Sequence, residues 1–65
     1  MKLKDLLKHL EENSCRFFRQ GANHTIFKKI LSGKITSVPR HREVKGNLAK
    51  KICDDLGIIR PANTK

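Results

Sequence analysis

The first apolar pattern along the chain is that of an amphipathic helix. Four leucines recur at i, i+3, i+4 and i+7, a spacing that places them on one helix face. Asp5 suits the first turn, where negative charge is favourable for the helix dipole, and Asn13-Ser14 ends the segment. The spacing therefore predicts a helix from about Leu3 to Glu12, with an apolar stripe formed by Leu3, Leu6, Leu7 and Leu10.

Three short segments follow whose composition is typical of β-strands. They are separated by turn-forming residues, Gly21-Ala22-Asn23 and Ser32-Gly33-Lys34, which favours an antiparallel meander. In the first segment Phe17 and Phe18 are adjacent, so one ring is expected to face the helices and the other to point away. The predicted strands are Cys15–Gln20, Thr25–Ile30 and Ile35–Val38, the last ended by Pro39.

The last apolar pattern predicts a second helix. Gly46-Asn47 is the expected N-terminal cap, Gly57 the expected left-handed stop, and Ile58 and Ile59 are expected to fold back over the core. The order predicts an α+β fold, α-β-β-β-α, in which two helices pack on one face of a three-stranded antiparallel sheet and leave the other face open. The apolar positions of the helix are Leu48, Ala49, Ile52, Cys53 and Leu56.

Length and charge limit the possible functions. A chain of 65 residues forms one domain at most, predicted here as residues 1–59 with a tail at 60–65. Fifteen Lys and Arg against six Asp and Glu give a formal net charge of +9, which favours RNA or DNA as a partner. A membrane surface is the weaker alternative, because the charge is not gathered on one helix face. The apolar runs are too short for a membrane span or a signal peptide, so a cytoplasmic location is expected.

The two cysteines do not indicate a disulfide framework or a metal site. Cys15 and Cys53 lie on different predicted elements, and no secretory signal is expected in this chain. We interpret both as small apolar residues, with Cys53 facing the core. Cys-x-x-Cys and His-x-x-x-His spacings are absent from the sequence, and we expect neither a metal nor a small-molecule cofactor.

The most informative stretch of the chain surrounds His24. Gly21 and Asn23 form turns readily, and an alternating strand pattern starts at the histidine, so its ring is expected to stand out at the mouth of a hairpin. A turn histidine bonded to its own hairpin is the alternative. His9, beside Lys8 on the first helix, is interpreted as a surface residue.

Several segments in order resemble the HicA family of RNA-cleaving toxins, and the element order resembles the double-stranded-RNA-binding-domain fold. In that family the histidine after the glycine turn is catalytic, which implies this role for His24, and a HicB antitoxin covers the site. Ala22 and Phe27 depart from the family pattern, which often has Ser or Thr, and Tyr or Trp, at these places. The segments are Gly21-Ala22-Asn23-His24-Thr25-Ile26-Phe27, Val38-Pro39-Arg40-His41, Gly46-Asn47-Leu48 and Leu56-Gly57-Ile58.

The residues fit RNA cleavage without a metal. Attack of a 2′-hydroxyl on the adjacent phosphate needs a base, an acid for the 5′-oxygen and positive charge on the phosphorane. Imidazole suits the proton transfers, so His24 is the predicted base or acid, and His41 a second proton carrier only if its loop returns beside His24. A hydrogen bond of His41 within its own loop is the favoured alternative. The predicted phosphate or RNA contacts are Lys28, Arg40, Arg19, Lys34 and His41.

Two other functions remain open at this point. A non-catalytic RNA-binding module of the same fold needs only the positive charge. A small DNA-binding protein would use residues 47–56 as its recognition helix, although Asp54 and Asp55 on that helix would repel phosphate.

For the RNA-cleaving hypothesis, single-stranded messenger RNA is the preferred substrate, because in-line attack needs a flexible backbone. Other lysines are interpreted as a solvated face that adds salt-dependent affinity, namely Lys2, Lys4, Lys50 and Lys51.

Overall fold

The computed structural model describes residues 1–62 and confirms the predicted order of elements. The chain runs through α1 (Leu3–Glu12), β1 (Cys15–Gln20), β2 (His24–Lys29), β3 (Ile35–Pro39) and α2 (Gly46–Leu56). Four boundaries differ from the prediction: β2 begins at His24 and ends at Lys29, β3 includes Pro39, and α2 begins at Gly46. No helix among residues 1–62 is long and apolar enough to span a membrane.

The sheet is an antiparallel meander in the order β1-β2-β3. Thr25 of β2 lies opposite Gln20 of β1 and Val38 of β3. The pairing of β1 with β2 shifts between Phe17 and Arg19, where Phe18 is the extra residue of a β-bulge. Alternation along β2 therefore directs His24 and every second residue after it to one sheet face, and the intervening residues to the other.

The core lies between the helices and the second of these faces. Helix α1 contacts β1, and α2 contacts β3. Both cysteines belong to the core and both are free thiols, as expected from the sequence. The buried apolar residues are Leu6, Leu10, Cys15, Val38, Val44, Ala49, Ile52, Cys53 and Leu56.

Phe17 lies opposite Phe27 on the helix-facing side of the sheet, as one ring of the Phe17–Phe18 pair was expected to, but neither ring is buried. Phe17 is 57% exposed and Phe18 is 50% exposed. Only the first residue of β1, Cys15, is buried, because β1 is an edge strand and α1 covers no more than its start. Ile59 is also exposed, so only Ile58 of the predicted pair packs against the core.

The start of the chain is fixed to the segment that precedes α2. The backbone N–H of Val44 donates to the Met1 carbonyl at 2.8 Å, and the Met1 ammonium donates to the Val44 carbonyl at 2.8 Å. The Leu3 N–H donates to the Arg42 carbonyl at 2.8 Å. Residues 42–44 are therefore held against the N-terminus of α1.

Helix α2 has the predicted end but not the predicted cap. Gly57 is left-handed at φ 68°, its N–H donates to the Asp54 carbonyl, and the next N–H donates to the Cys53 carbonyl. At the other end the cap residue is Lys45 rather than Gly46-Asn47, and it provides no side-chain hydrogen bond.

The predicted C-terminal tail falls partly outside the described residues. Within the described part, Arg60 donates from Nε and Nη2 to the two carboxylate oxygens of Asp54, at 3.0 and 2.7 Å. Pro61 is buried. The division of the chain at residue 60 stays a prediction.

Candidate functional site

His24 is the first residue of β2 and lies directly opposite Pro39 of β3. The turn before it is closed by a hydrogen bond from the Gly21 N–H to the His24 carbonyl, at 2.8 Å. A Cβ at position 21 would lie 3.2 Å from that carbonyl oxygen, so glycine permits this close approach. The His24 side chain is exposed, and its ring makes no hydrogen bond within residues 1–62. Both ring nitrogens are therefore open to a ligand.

A surface cleft of about 420 Å³ brings His24 together with the segment after β3. We call it the histidine cleft, and it is lined by Ala22, Asn23, His24, Arg40 and His41. Because His24 pairs with Pro39, the next two residues along the chain lie beside the turn that precedes His24. The loop that carries His41 returns beside His24, which was the condition for His41 to act as a second proton carrier. The His41 ring is exposed and has no hydrogen bond in the described part of the chain.

Arg40 links the two sides of this cleft. Its Nη2 donates to the carbonyl oxygens of Gly21 and Ala22, at 3.1 Å each. With the Gln20 amide oxygen turned towards it, that oxygen accepts from Nη2 at 2.9 Å and Nη1 at 2.6 Å. All these acceptors are neutral, and Arg40 has no carboxylate partner among residues 1–62. The guanidinium therefore fixes the turn before His24 and keeps an uncompensated positive charge in the cleft.

The other predicted cations lie at increasing distance from His24. Arg19 is opposite Ile26 on the open face, two positions along the sheet. Lys28 lies four residues along β2 on the same face, about 13 Å away by strand geometry, and its Nζ is 5.2 Å from the centre of the Phe18 ring. Lys34 lies at the far end of the sheet, where its side chain lies beside Gly57. The structure does not bring Lys34 to the histidine.

The positive charge is more segregated along the chain than the net value alone indicates. Residues 13–42 contain seven Lys and Arg and no Asp or Glu. The sheet, its two turns and the histidine cleft all belong to this stretch, so their own charged side chains are all positive, although Asp55 of α2 lies against Thr36 of β3. The cations are Arg16, Arg19, Lys28, Lys29, Lys34, Arg40 and Arg42, and the acids of the chain are Asp5, Glu11, Glu12, Glu43, Asp54 and Asp55.

The two aspartates of α2 form ion pairs with neighbouring cations. Hydrogen bonds from Arg60 lower the pKa of Asp54, and a hydrogen bond from Lys51 at 2.9 Å lowers the pKa of Asp55. Thr36 adds a hydrogen bond to Asp55 at 3.1 Å. Both groups remain ionised on α2, which is unfavourable for a helix that would have to approach DNA phosphates.

A second depression adjoins His24 on the other side, and the sequence did not reveal it. This groove of about 420 Å³ runs between β3 and α2, and Ser37, Leu48 and Lys51 are among its lining residues. No sequence pattern signals it, because the groove depends on how α2 crosses β3. His24 therefore stands where two depressions meet.

Two further predicted features concern His9 and metal binding. His9 is not a purely solvated residue, because its Nε2 lies 2.7 Å from the carbonyl oxygen of Ile59. It lies on α1 and lines neither of the depressions beside His24. Among residues 1–62, no group of three or more His, Cys, Asp or Glu side chains is placed to hold a metal ion.

The fold and the cleft define a small basic α+β protein that exposes a histidine in a cleft without acidic lining residues. The model of the HicA toxin family, described as the HicA toxin of bacterial toxin-antitoxin, matches residues 3–58. The chain belongs to this family and is a toxin of a toxin–antitoxin system, for which an antitoxin partner is implied. Searches of curated proteins and of solved structures give no significant match.

Proposed function

We propose that this protein is a metal-independent endoribonuclease that cleaves messenger RNA with His24 as a catalytic residue. The observation that carries the proposal is the histidine cleft, in which an exposed, unbonded His24 lies with His41 and with the fixed charge of Arg40. Family membership supports a toxic activity. The histidine cleft, which has no acidic lining residue, suits a polyanionic substrate.

The reaction needs two proton transfers at one phosphate. A base removes the proton of the 2′-hydroxyl, whose oxygen attacks the phosphorus, and an acid protonates the departing 5′-oxygen as its bond to phosphorus breaks. The products are a 2′,3′-cyclic phosphate and a free 5′-hydroxyl. His24 and His41 are the two imidazoles of the cleft and provide this pair of proton carriers.

Arg40 stabilises the negative charge that builds on the phosphate oxygens during attack. Its donors to the turn carbonyls hold the guanidinium in place, so the charge is already oriented before substrate binds. Arg19 and Lys28 lie further along the open sheet face and contact phosphates of neighbouring nucleotides. A single strand suits this site, because in-line attack requires a backbone that can rotate.

The implied antitoxin is a HicB-type protein with an acidic surface. A net charge of +9 makes association with such a partner fast and dependent on salt. A partner seated over the histidine cleft would block access to His24 and so hold the toxin inactive.

The test is cleavage of labelled RNA by purified protein with a chelator present. Wild-type protein is expected to cleave, and His24→Ala to lose at least about 100-fold in rate, with its circular dichroism spectrum unchanged because the ring makes no hydrogen bonds within the described fold. His9→Ala is the matched control, since it removes an imidazole outside both depressions beside His24.

Two results would contradict the proposal. Undiminished cleavage by His24→Ala would assign the activity to another group or to a contaminant. Salt-dependent RNA binding by the wild type without any cleavage would favour the non-catalytic RNA-binding module.

A further inference from the structure

A larger cleft adjoins the histidine cleft through a shared residue. It has a volume of about 700 Å³, and we call it the N-terminal cleft. Arg40 lines both clefts, so an extended ligand bound at His24 can continue past Arg40 from the histidine cleft into the N-terminal cleft. The N-terminal cleft is lined by Lys2, Leu3, Lys4, Arg40, Arg42 and Glu43.

The cations of this cleft are not neutralised by the fold. Within residues 1–62 the side chains of Lys2, Lys4 and Arg42 form no ion pair, and all three are exposed. The single acid, Glu43, lies 3.8 Å from the N-terminal ammonium, which offsets part of its charge. Four like charges around one depression repel each other in the free protein, so a polyanion bound there relieves that repulsion.

Backbone contacts join the two segments that carry these cations. Lys2 forms a β-bridge with Glu43, and the Leu3 N–H donates to the Arg42 carbonyl. Arg40 is held from the other side by the turn carbonyls. The cleft is therefore formed before any ligand arrives, which reduces the entropy lost on binding.

We propose that the N-terminal cleft is a second RNA subsite, which binds the phosphate backbone on one side of the cleaved phosphate. This inference rests on the proposed nuclease function. Lys4 and Arg42 contact phosphates beyond the one at His24, and Arg40 stands between the two positions. The occupant is single-stranded RNA, because the subsite continues a path that begins at the cleavage site.

The test separates binding in the cleft from catalysis at His24. Lys4→Gln, Arg42→Gln and the double variant are made in the His24→Ala background, and binding to a labelled RNA of about 12 nucleotides is titrated over a salt series. Each substitution is expected to lower the slope of log Kd against log salt by about 0.7. Lys50→Gln is the matched control, since Lys50 lies on α2, lines neither cleft and gives the same change in net charge.

Cleavage provides the second readout, in protein that retains His24. The double variant is expected to lose roughly 10-fold in kcat/KM for the longer RNA, through a raised KM, because each phosphate contact adds affinity. Its cleavage of a dinucleotide is expected to stay at the wild-type rate, because a dinucleotide does not reach the N-terminal cleft. Lys4→Arg keeps the positive charge at this position and is therefore expected to cleave the longer RNA at the wild-type rate.

The outcomes distinguish failure of the subsite from failure of the nuclease proposal. If the variants weaken RNA binding while wild-type protein cleaves nothing, the subsite stands and the nuclease proposal fails. If salt slope and affinity equal those of Lys50→Gln, the subsite is overturned. Weakened binding of an acidic antitoxin with unchanged RNA binding would overturn it too, and would assign the cleft to the protein partner.

Discussion

The guanidinium of Arg40 donates to the backbone carbonyl oxygen of Gly21 at 3.1 Å, three residues before His24. Together with its bond to Ala22, this contact ties the turn that carries the histidine to the segment that carries His41. Arg40 therefore has two effects, one through its charge and one through the position of its neighbours. Substitutions at this residue can separate them.

We expect Arg40→Lys to lower kcat although it keeps the charge. Lysine lacks the second nitrogen that donates to the Gln20 amide oxygen while Nη2 holds both carbonyls, so the turn before His24 loses its fixed position. A displacement of about 1 Å costs up to about 100-fold in rate, and loss of the hydrogen bonds lowers stability by about 0.5–1.5 kcal/mol each. Steady-state cleavage and thermal unfolding measure the two effects. A wild-type kcat in Arg40→Lys would show that cleavage does not need the hydrogen bonds from the guanidinium to the turn.

We expect His41→Ala to lose about 100-fold or more in cleavage rate and one limb of the pH–rate profile. The reason is that His24 and His41 are the two imidazoles of the histidine cleft, and each would carry one of the two protons. The measurement is kcat/KM against pH for wild type and variant. An unchanged bell-shaped profile would exclude His41 as a proton carrier and leave that transfer to another group.

Periodicity predicted the elements well because the core faces of this fold are regular. Most residues of the two apolar stripes are buried or packed against the core, although Leu48 of α2 is exposed. Gly57 ends α2 as its sequence position indicated. Alternation places Phe17 with Phe27 on the helix-facing side of the sheet, but it does not say how far a helix covers that face, and the Phe17 ring stays exposed. The bulge at Phe18 and the short reach of α1 decide the outcome.

The position of the candidate site is less predictable from sequence than the fold. His24 follows from its turn, but its neighbours depend on strand register, which sequence order does not reveal. Arg40 and Lys34 are equivalent by charge, yet the pairing of His24 with Pro39 brings the first to the cleft and leaves the second at the opposite end of the sheet. The N-terminal cleft has no sequence signal because residues 2–4 and 40–43 meet only through the backbone contacts that join the two segments.

We expect Gly57→Ala to destabilise the protein by about 1–2 kcal/mol, because the residue is left-handed at φ 68° and a side chain is strained there. The added Cβ would also lie 3.2 Å from the Lys34 Nζ, a flexible side chain that can move aside. Gly33→Ala is the matched comparison, since Gly33 has φ 78° and a Cβ added there would meet no atom within 4 Å. Thermal unfolding should show a loss of about 4–8 °C per kcal/mol for a domain of this size.

The two substitutions separate strain from contact. Equal losses in both variants would mean that backbone strain dominates and that Lys34 adapts freely. A larger loss in Gly57→Ala would show that the packing of Lys34 against the end of α2 also contributes. A melting temperature equal to that of the wild type in Gly57→Ala would contradict a left-handed backbone at residue 57, where α2 ends.

We expect the Cys53 thiol to be nearly unreactive in the folded protein. Burial raises its pKa to about 11, and the neighbouring Asp54 acts in the same direction while Arg60 opposes it. At pH 8 roughly one thiol in a thousand would be ionised, and the thiolate is the reactive form. Alkylation at pH 8 should therefore be at least about 100-fold slower in native than in denatured protein. Equal rates would show that the core opens readily around α2.

The same raised pKa makes stability fall in alkaline solution. The folded state favours the neutral thiol, so its contribution is complete below the ordinary thiol pKa of 9.0 and is lost as pH rises through about 11. Urea unfolding measured across this window should show a decline that is shallower in Cys53→Ala, which has no thiol to ionise. Lysines titrate in the same range in both proteins, so the difference between the two curves isolates Cys53. Parallel curves would mean that the thiol ionises as easily in the folded chain as in the unfolded one, which burial in the core does not allow.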